Sequence, residues 1–296
     1  MDKYITLFLN YLVNERNYPN DTTAKNYELD LLNYQDFLRE NNLNYLKITK
    51  DDIRSYLKYL DKLKYKNSSI SRHLSSLRTF YGFLVNEGVI ESNIFKSISS
   101  PKKKKKLPNF LQYDEVEKML SVCDLKEPLH IRNRLIIETL YDTGIRVSEL
   151  VNLKITDINF ADKRIKILGK GSKERMIQIE NPDVLKALQE YYILFQEDIK
   201  SSGFFFVNKL HTRLTEQSVR EIICKYTAMT EYDIHVTPHM FRHSFATLLL
   251  EEDVDIRYIQ KLLGHSSIIT TQIYTYVAMS KQKEILSTKH PRNRIK

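Results

Sequence analysis

The sequence predicts a mainly α protein of two domains: a four-helix N-terminal unit, then an α-rich unit carrying a small antiparallel sheet. Three observations predict this. Apolar residues recur at three- and four-residue steps through most of the chain, the period of a helix with one buried face. Period-two alternation is concentrated around Gly-Lys-Gly-Ser in "RIKILGKGSKERMIQI", which reads as a β-hairpin. A proline-bracketed lysine run, "PKKKKKLP", cuts the chain at residues 101–108. Its prolines lack a backbone donor and its like charges repel, so neither helix nor sheet continues through it.

The four N-terminal helices can be placed in order. Residues 2–16 alternate as an amphipathic helix. Residues 22–40 follow, with Asp21, Thr22 and Thr23 as caps and Tyr27, Leu31, Tyr34 and Leu38 on one face. "ITKDDIRSYLKYL" offers Thr49 as N-cap with acids in the first turn. "NSSISRHLSSLRTFYGFLVNEG" starts on serines and ends at Gly88, a C′ glycine. Beyond the lysine run, "EVEKMLSVC" and "IRNRLIIETLYDTG" are helical, the hairpin follows, and "GFFFVN" reads as a short buried strand. "LTEQSVREIICKYTAM", "TPHMFRHSFATLLLEE" and "DIRYIQKLLG" are helices with clear starts and stops, and "AMSKQKEILSTKH" forms a last one. The domains are therefore expected at 1–100 and 109–296, with 101–108 as linker.

The bulk numbers narrow the function. At 296 residues the chain exceeds what one core usually serves. Apolar residues make up 42% and charged residues 28%, a globular balance and not a disordered one. No run approaches the roughly eighteen apolar residues of a membrane span, and the N-terminus lacks a signal-peptide pattern. Cys123 and Cys224 lie far apart without metal-ligand spacing and read as reduced thiols of a cytoplasmic protein. The net charge is +9. Over half of it sits in Lys102, Lys103, Lys104, Lys105 and Lys106, a solvated linker or a strap along a phosphate backbone.

Several polar residues stand out against apolar surroundings. In "YDTGIRVSELVNL", Arg146 opens a helix and Glu149 shares its face. In "TPHMFRHSFATLL", Thr237 can cap a helix beginning at Pro238, with His239 and Arg242 three apart. Lys170, Lys173 and Arg175 sit in or beside the hairpin turn and could meet a phosphate. The turn lacks nucleotide P-loop spacing and leads into a strand instead of a helix. His265 follows Gly264, and "IYTY" holds Tyr274 and Tyr276. Taken singly, each has an ordinary structural reading.

Taken in order, "TGIRVSELVNL", "GKGSKER", "HMFRHSFATLLLE" and "IQKLLGHSSIITTQIYTYV" resemble the tyrosine recombinase (phage-integrase) family. The likeness extends to "SISRHLSSLRTFYGFLVNEG", "LPNFL" and the closing "KHPRNRIK", which are most similar to the XerC/XerD type that resolves chromosome dimers. The resemblance implies that residues 1–100 form a SAM-like core-binding domain and 109–296 a catalytic domain. It implies a site-specific recombinase that cuts and rejoins DNA through a 3′-phosphotyrosyl intermediate. Arg146 and Arg242 would hold the phosphate, Lys170 would act as general acid, His239 would move a proton, His265 would donate to a phosphate oxygen, and Tyr274 would attack. Glu149 would hold its neighbourhood together. Bond energy is conserved in the phosphotyrosine, so no metal or other cofactor is expected. The expected partners are double-stranded DNA with a specific site and a homo- or hetero-tetramer on it, alone or with a second Xer-type recombinase, without a membrane. Arg72, Arg78 and the Lys64/Lys66 region of the first domain, and Lys173, Arg213 and Arg220 of the second, are candidate DNA contacts. A mobile-element integrase, a type IB topoisomerase and a catalytically silent DNA-binding protein are the rival readings. Tyr276 stands where Xer relatives usually carry a histidine. Tyr274 and Tyr276 would lie about 200° apart on a helix, so at most one can enter the site.

Overall fold

The computed structural model describes residues 3–14, 22–101, 110–169, 174–232 and 234–264. The chain divides into two compact units, Met1–Lys106 and Leu107–Lys296.

The first unit holds four helices, α1 (Lys3–Asn14), α2 (Thr22–Glu40), α3 (Lys50–Lys62) and α4 (Asn67–Asn86). Local chemistry sets their ends. Thr49 and Asp52 form a reciprocal capping box at the start of α3, each satisfying a backbone N–H of the first turn. Gly88 takes a left-handed φ of 68° just past α4, as a C′ glycine does. The start of α4 differs from expectation: Lys66 occupies its N-cap and supplies no side-chain bond. The core is aromatic, with Phe8, Tyr34, Tyr56, Phe80, Tyr81 and Phe95 all buried. Tyr81 Oη donates to the Tyr45 carbonyl at 2.7 Å, so the 2.9 Å bond between Tyr34 and Tyr81 has Tyr34 as donor. Burying these phenols without a partner would cost free energy, which the chain of bonds avoids.

The second unit begins with α5 (Tyr113–Ser121) and α6 (Pro128–Thr143), followed by the short α7 (Val147–Val151). Next comes an antiparallel sheet of β1 (Ile158–Asn159), β2 (Arg164–Leu168) and β3 (Glu174–Gln178), in that spatial order. The hairpin pairs Ile165 with Ile177 and Leu168 with Glu174. Its turn lies outside the described residues. Helices α8 (Pro182–Leu194), α9 (Gln196–Ser202), α10 (Glu216–Ala228), α11 (Pro238–Glu251) and α12 (Ile256–Leu263) complete the described part. α6 is the central helix, with Leu135, Ile136, Ile137 and Leu140 buried, and it packs on α8 and α11. The fold is thus mainly α with one small antiparallel sheet.

Three expectations need correction. "GFFFVN" is not a strand. Phe205, Phe206 and Val207 are fully buried, but only Val207 pairs, in a single bridge to Arg213. Phe205 N–H donates instead to the Leu153 carbonyl and Val207 N–H to the Tyr191 hydroxyl, so this run fills the core without a ladder. Thr237 holds the N-cap of α11, yet its hydroxyl makes no cap bond. The strand β1 and the helices α8 and α9 are additional to the expected elements.

Candidate active site

Arg146 is the N-cap of α7, reached from α6 through a left-handed turn at Gly144, φ 59°. Only glycine fits there. A Cβ on Gly144 would lie 2.7 Å from Phe245 Cδ1 and 2.9 Å from Leu263 Cδ2. Glu149 closes a box on the new helix: its carboxylate accepts from the Arg146 backbone N–H at 2.8 Å and from Arg146 Nη1 at 2.9 Å. The side chain of Arg146 is about one-third exposed (36%).

Arg242 reaches the same corner from the second turn of α11, on its buried face. Its Nη1 donates to the Gly144 carbonyl at 2.8 Å and its Nη2 to the Leu263 carbonyl at 2.6 Å. These carbonyls end α6 and α12, where helix dipoles are negative and C=O groups lack helical partners. A guanidinium stays charged even when buried, and here carbonyls solvate it. His239, one turn earlier on α11, is exposed.

Arg175 completes the arrangement from β3. Its Nη1 and Nη2 form a bidentate pair with Glu149 at 2.9 and 2.7 Å, and its Nε donates to the Leu262 carbonyl at 2.7 Å. Burial alone would raise the Glu149 pKa. The bonds from Arg175 and from the Arg146 backbone more than offset that and hold the carboxyl below its usual value. A closed circuit results: Gly144 and Arg146, Glu149, Arg175, the last turn of α12, Arg242, and back to Gly144. It brings the α6–α7 turn, β3, α11 and α12 to one place, with three guanidiniums and one carboxylate.

Of the expected catalytic residues, the structure brings together Arg146 and Arg242 and places His239 at the start of α11. Lys170, His265 and Tyr274 lie outside the described residues, as do Tyr276, Lys173 and Lys102 to Lys106. α12 ends at Gly264, one residue before His265, with a left-handed φ of 64°. The expectation that Arg175 could meet a phosphate is corrected. Its side chain is 10% exposed, and three of its five N–H donors are bound inside the protein. Its structural part was legible: strand alternation puts Arg175 on the same face as buried Ile177.

The candidate DNA-contacting arginines are engaged within their own units. Arg72 binds Asp30 at 2.8 Å and the Asn26 carbonyl at 3.1 Å. Arg78 donates to the carbonyls of Phe95 and Ile98. Arg213 donates to Asn152 at 2.7 Å and covers the Phe204 ring, and Arg220 pairs with Glu216 at 2.7 Å. A separate cavity of about 690 Å³ opens between α5, α6, α8 and α11, lined by Val116, Leu120, Tyr141 and Phe245 and rimmed by Glu138 and Asp142. Burial, then the Glu138 charge, pushes the Asp142 carboxyl up to about 6.

A helical unit followed by an α-rich unit with an arginine-lined corner and a three-stranded sheet is the fold of recombining enzymes of the integrase class, and comparison with known proteins bears this out. Residues 109–281 match the phage integrase family and residues 5–88 match the phage integrase N-terminal SAM-like domain. The chain is 41% identical over 302 residues to a tyrosine recombinase of Agathobacter rectalis, covering 99% of this chain and 97% of the relative. It is 37% identical to tyrosine recombinase XerC of Halalkalibacterium halodurans, covering 98% of each. Among solved structures it is similar to XerA recombinase (TM-score 0.53, 29% identity, 98% of this chain and 99% of that one). It is also similar to XerH recombinase bound to a palindromic difH substrate (TM-score 0.74, 26% identity, 90% of this chain and 79% of that one). The chain belongs to the phage integrase family and is a tyrosine recombinase, an enzyme of site-specific DNA recombination. Among the described residues, no helix is long and apolar enough to cross a membrane.

Proposed function

We propose that this enzyme is a Xer-type recombinase that resolves chromosome dimers, acting on double-stranded DNA at one specific site as part of a tetramer. The observation that carries the catalytic reading is the meeting of Arg146 and Arg242 at the Gly144 turn. The described residues take one of Arg146's guanidinium donors, leaving a fixed positive charge with bonds to offer. Two such groups suit a phosphodiester whose negative charge grows on the non-bridging oxygens in the transition state. The XerC relatives and the DNA-bound XerH structure support a DNA substrate and the Xer assignment.

In this reading residues 1–100 form a DNA-binding domain, 101–108 a lysine-rich linker and 109–296 the catalytic domain. Tyr274 Oη attacks phosphorus, and its proton leaves by way of His239. Lys170 protonates the departing 5′-oxygen, and His265 donates to a non-bridging oxygen with Arg146 and Arg242. The product is a 3′-phosphotyrosine and a 5′-hydroxyl. A 5′-hydroxyl from the partner strand then reverses the step on a new junction. The lysines 102–106, Lys173, Arg72, Arg78, Arg213 and Arg220 are proposed backbone contacts. For the four arginines, the internal bonds described above would have to coexist with or yield to DNA.

Footprinting on the host's chromosome-dimer resolution region, followed by trapping on a nicked duplex of the protected sequence, tests the reading. The wild-type enzyme and Tyr276→Phe should form a covalent complex, and Tyr274→Phe should form none. A complex formed by Tyr274→Phe and lost in Tyr276→Phe would overturn the assignment. Protection confined to the ends of a mobile element would overturn the chromosomal role.

A further inference from the structure

We infer that Arg175 is a positioning residue for cleavage: it occupies the Glu149 carboxylate so that Arg146 keeps its guanidinium for the phosphate. The inference rests on the proposed role of Arg146.

A carboxylate offers about four lone-pair sites. All four of Glu149 are filled. Oε1 accepts from Arg146 Nη1 and Arg175 Nη1, both at 2.9 Å. Oε2 accepts from the Arg146 backbone N–H at 2.8 Å and from Arg175 Nη2 at 2.7 Å. Arg175 therefore takes half the carboxylate in the bidentate geometry that binds guanidinium most strongly. Arg146 is left with one side-chain bond to it.

The two arginines differ in what else they can do. Arg175 is 10% exposed and its third bond goes to the Leu262 carbonyl, so it is anchored within the fold. Arg146 is 36% exposed. Glu149 is itself 5% exposed and cannot turn to water for new partners. Without Arg175, two lone pairs of a buried carboxylate fall vacant beside Arg146, whose planar fork would fill them. The phosphate would then have to compete with Glu149 for the same donors. Gly264 supports the arrangement: a Cβ there would sit 3.2 Å from Arg175 Nη1, so the glycine leaves room for the arginine to lie against the end of α12.

A merely structural role predicts something different. If Arg175 only held β3 to α12, neutralising Glu149 would leave that loss in place or deepen it. If Arg175 keeps Glu149 away from Arg146, neutralising Glu149 should restore function in its absence.

The test is single-turnover cleavage of the nicked duplex identified by footprinting, with DNA concentration varied and thermal melting as a fold control. R175M should lower the maximal rate by about 100-fold, the scale of losing one transition-state donor, with half-saturating DNA changed by less than about threefold. R175K should fall between, since an ammonium keeps the charge but lacks the planar fork that meets both Glu149 oxygens. The double variant E149Q/R175M should recover at least about tenfold over R175M, the worth of one charge-assisted bond. R175M within threefold of the wild-type rate, or a double variant no faster than R175M, overturns the inference. Should R175M fail to fold, R175K and E149Q/R175K carry the same comparison. A wild-type enzyme that forms no covalent complex overturns the proposed function itself, whatever the Arg175 variants do.

Discussion

Both units bury charge, and they do so to opposite ends. In the N-terminal unit, Asp30 and His73 are fully buried between α2, α3 and α4. Ser76 donates to Asp30 at 2.6 Å, Arg72 pairs with it at 2.8 Å, and His73 Nε2 lies 3.2 Å from it. Tyr56 Oη meets His73 Nδ1 at 3.0 Å, which as donor fixes the ring as the Nε2–H tautomer facing the carboxylate. One carboxylate meets one permanent cation, and the cluster is electrically closed. In the second unit, three guanidiniums gather around one carboxylate: Glu149 binds Arg146 and Arg175, while Arg242 is held by backbone carbonyls, so positive charge is left over. The first arrangement fits a network that specifies the packing of three helices. The second fits a site prepared for an anion. The contrast teaches that buried charge marks function where the sum is unbalanced, and not merely where charge is buried.

The comparison can be broken at three points. Arg242→Ala has the largest expected effect: cleavage of the nicked duplex should fall by about 1,000-fold, the upper scale for removing a preorganised donor. Melting should also drop, because the carbonyls of Gly144 and Leu263 lose their shared partner. A rate near wild type would remove Arg242 from the phosphate site.

Asp30→Ala comes next. It strands Arg72 and His73 and should destabilise the protein by about 3 kcal/mol in denaturant unfolding. The maximal cleavage rate of the folded protein should stay within about threefold of wild type. A large rate loss with unchanged stability would reverse the two roles.

The smallest effect is a pH dependence. Burial, then the neighbouring Arg72, lowers the His73 pKa to about 4, so the folded state keeps the ring neutral. The unfolded chain binds a proton near pH 6.5, so this stability is present above that and declines as the pH falls towards 4. Asp30 acts in the opposite sense: burial raises its pKa, which adds stability as the pH falls. The two effects oppose each other, so the net change is smaller than that of His73 alone. His73→Gln should flatten the slope of stability between pH 6.5 and 4, and an unchanged slope would show that another group carries it.

Much of the fold was legible because its signals are local. The capping box at Thr49, the αL glycines after α4 and α12, and the alternation of the hairpin each act within a few residues. "GFFFVN" was misleading because a fully buried run looks alike whether its backbone joins a ladder or is satisfied one group at a time by Leu153 and the Tyr191 hydroxyl. The role of Arg175 was only half legible. Alternation turns it inward, but nothing in "SKERM" names its partner.

By itself, the sequence determined most of the helices, though not α8 and α9, together with the hairpin, the division at the lysine run, and the family, because ordered motifs and short-range caps survive in one dimension. Only the tertiary structure decided that Glu149 is shared between Arg146 and an arginine 26 residues away, and that Arg242 grips a carbonyl 98 residues back. The physical reason is that these bonds span long loops and end partly on backbone carbonyls, which every residue has and which leave no mark in the sequence.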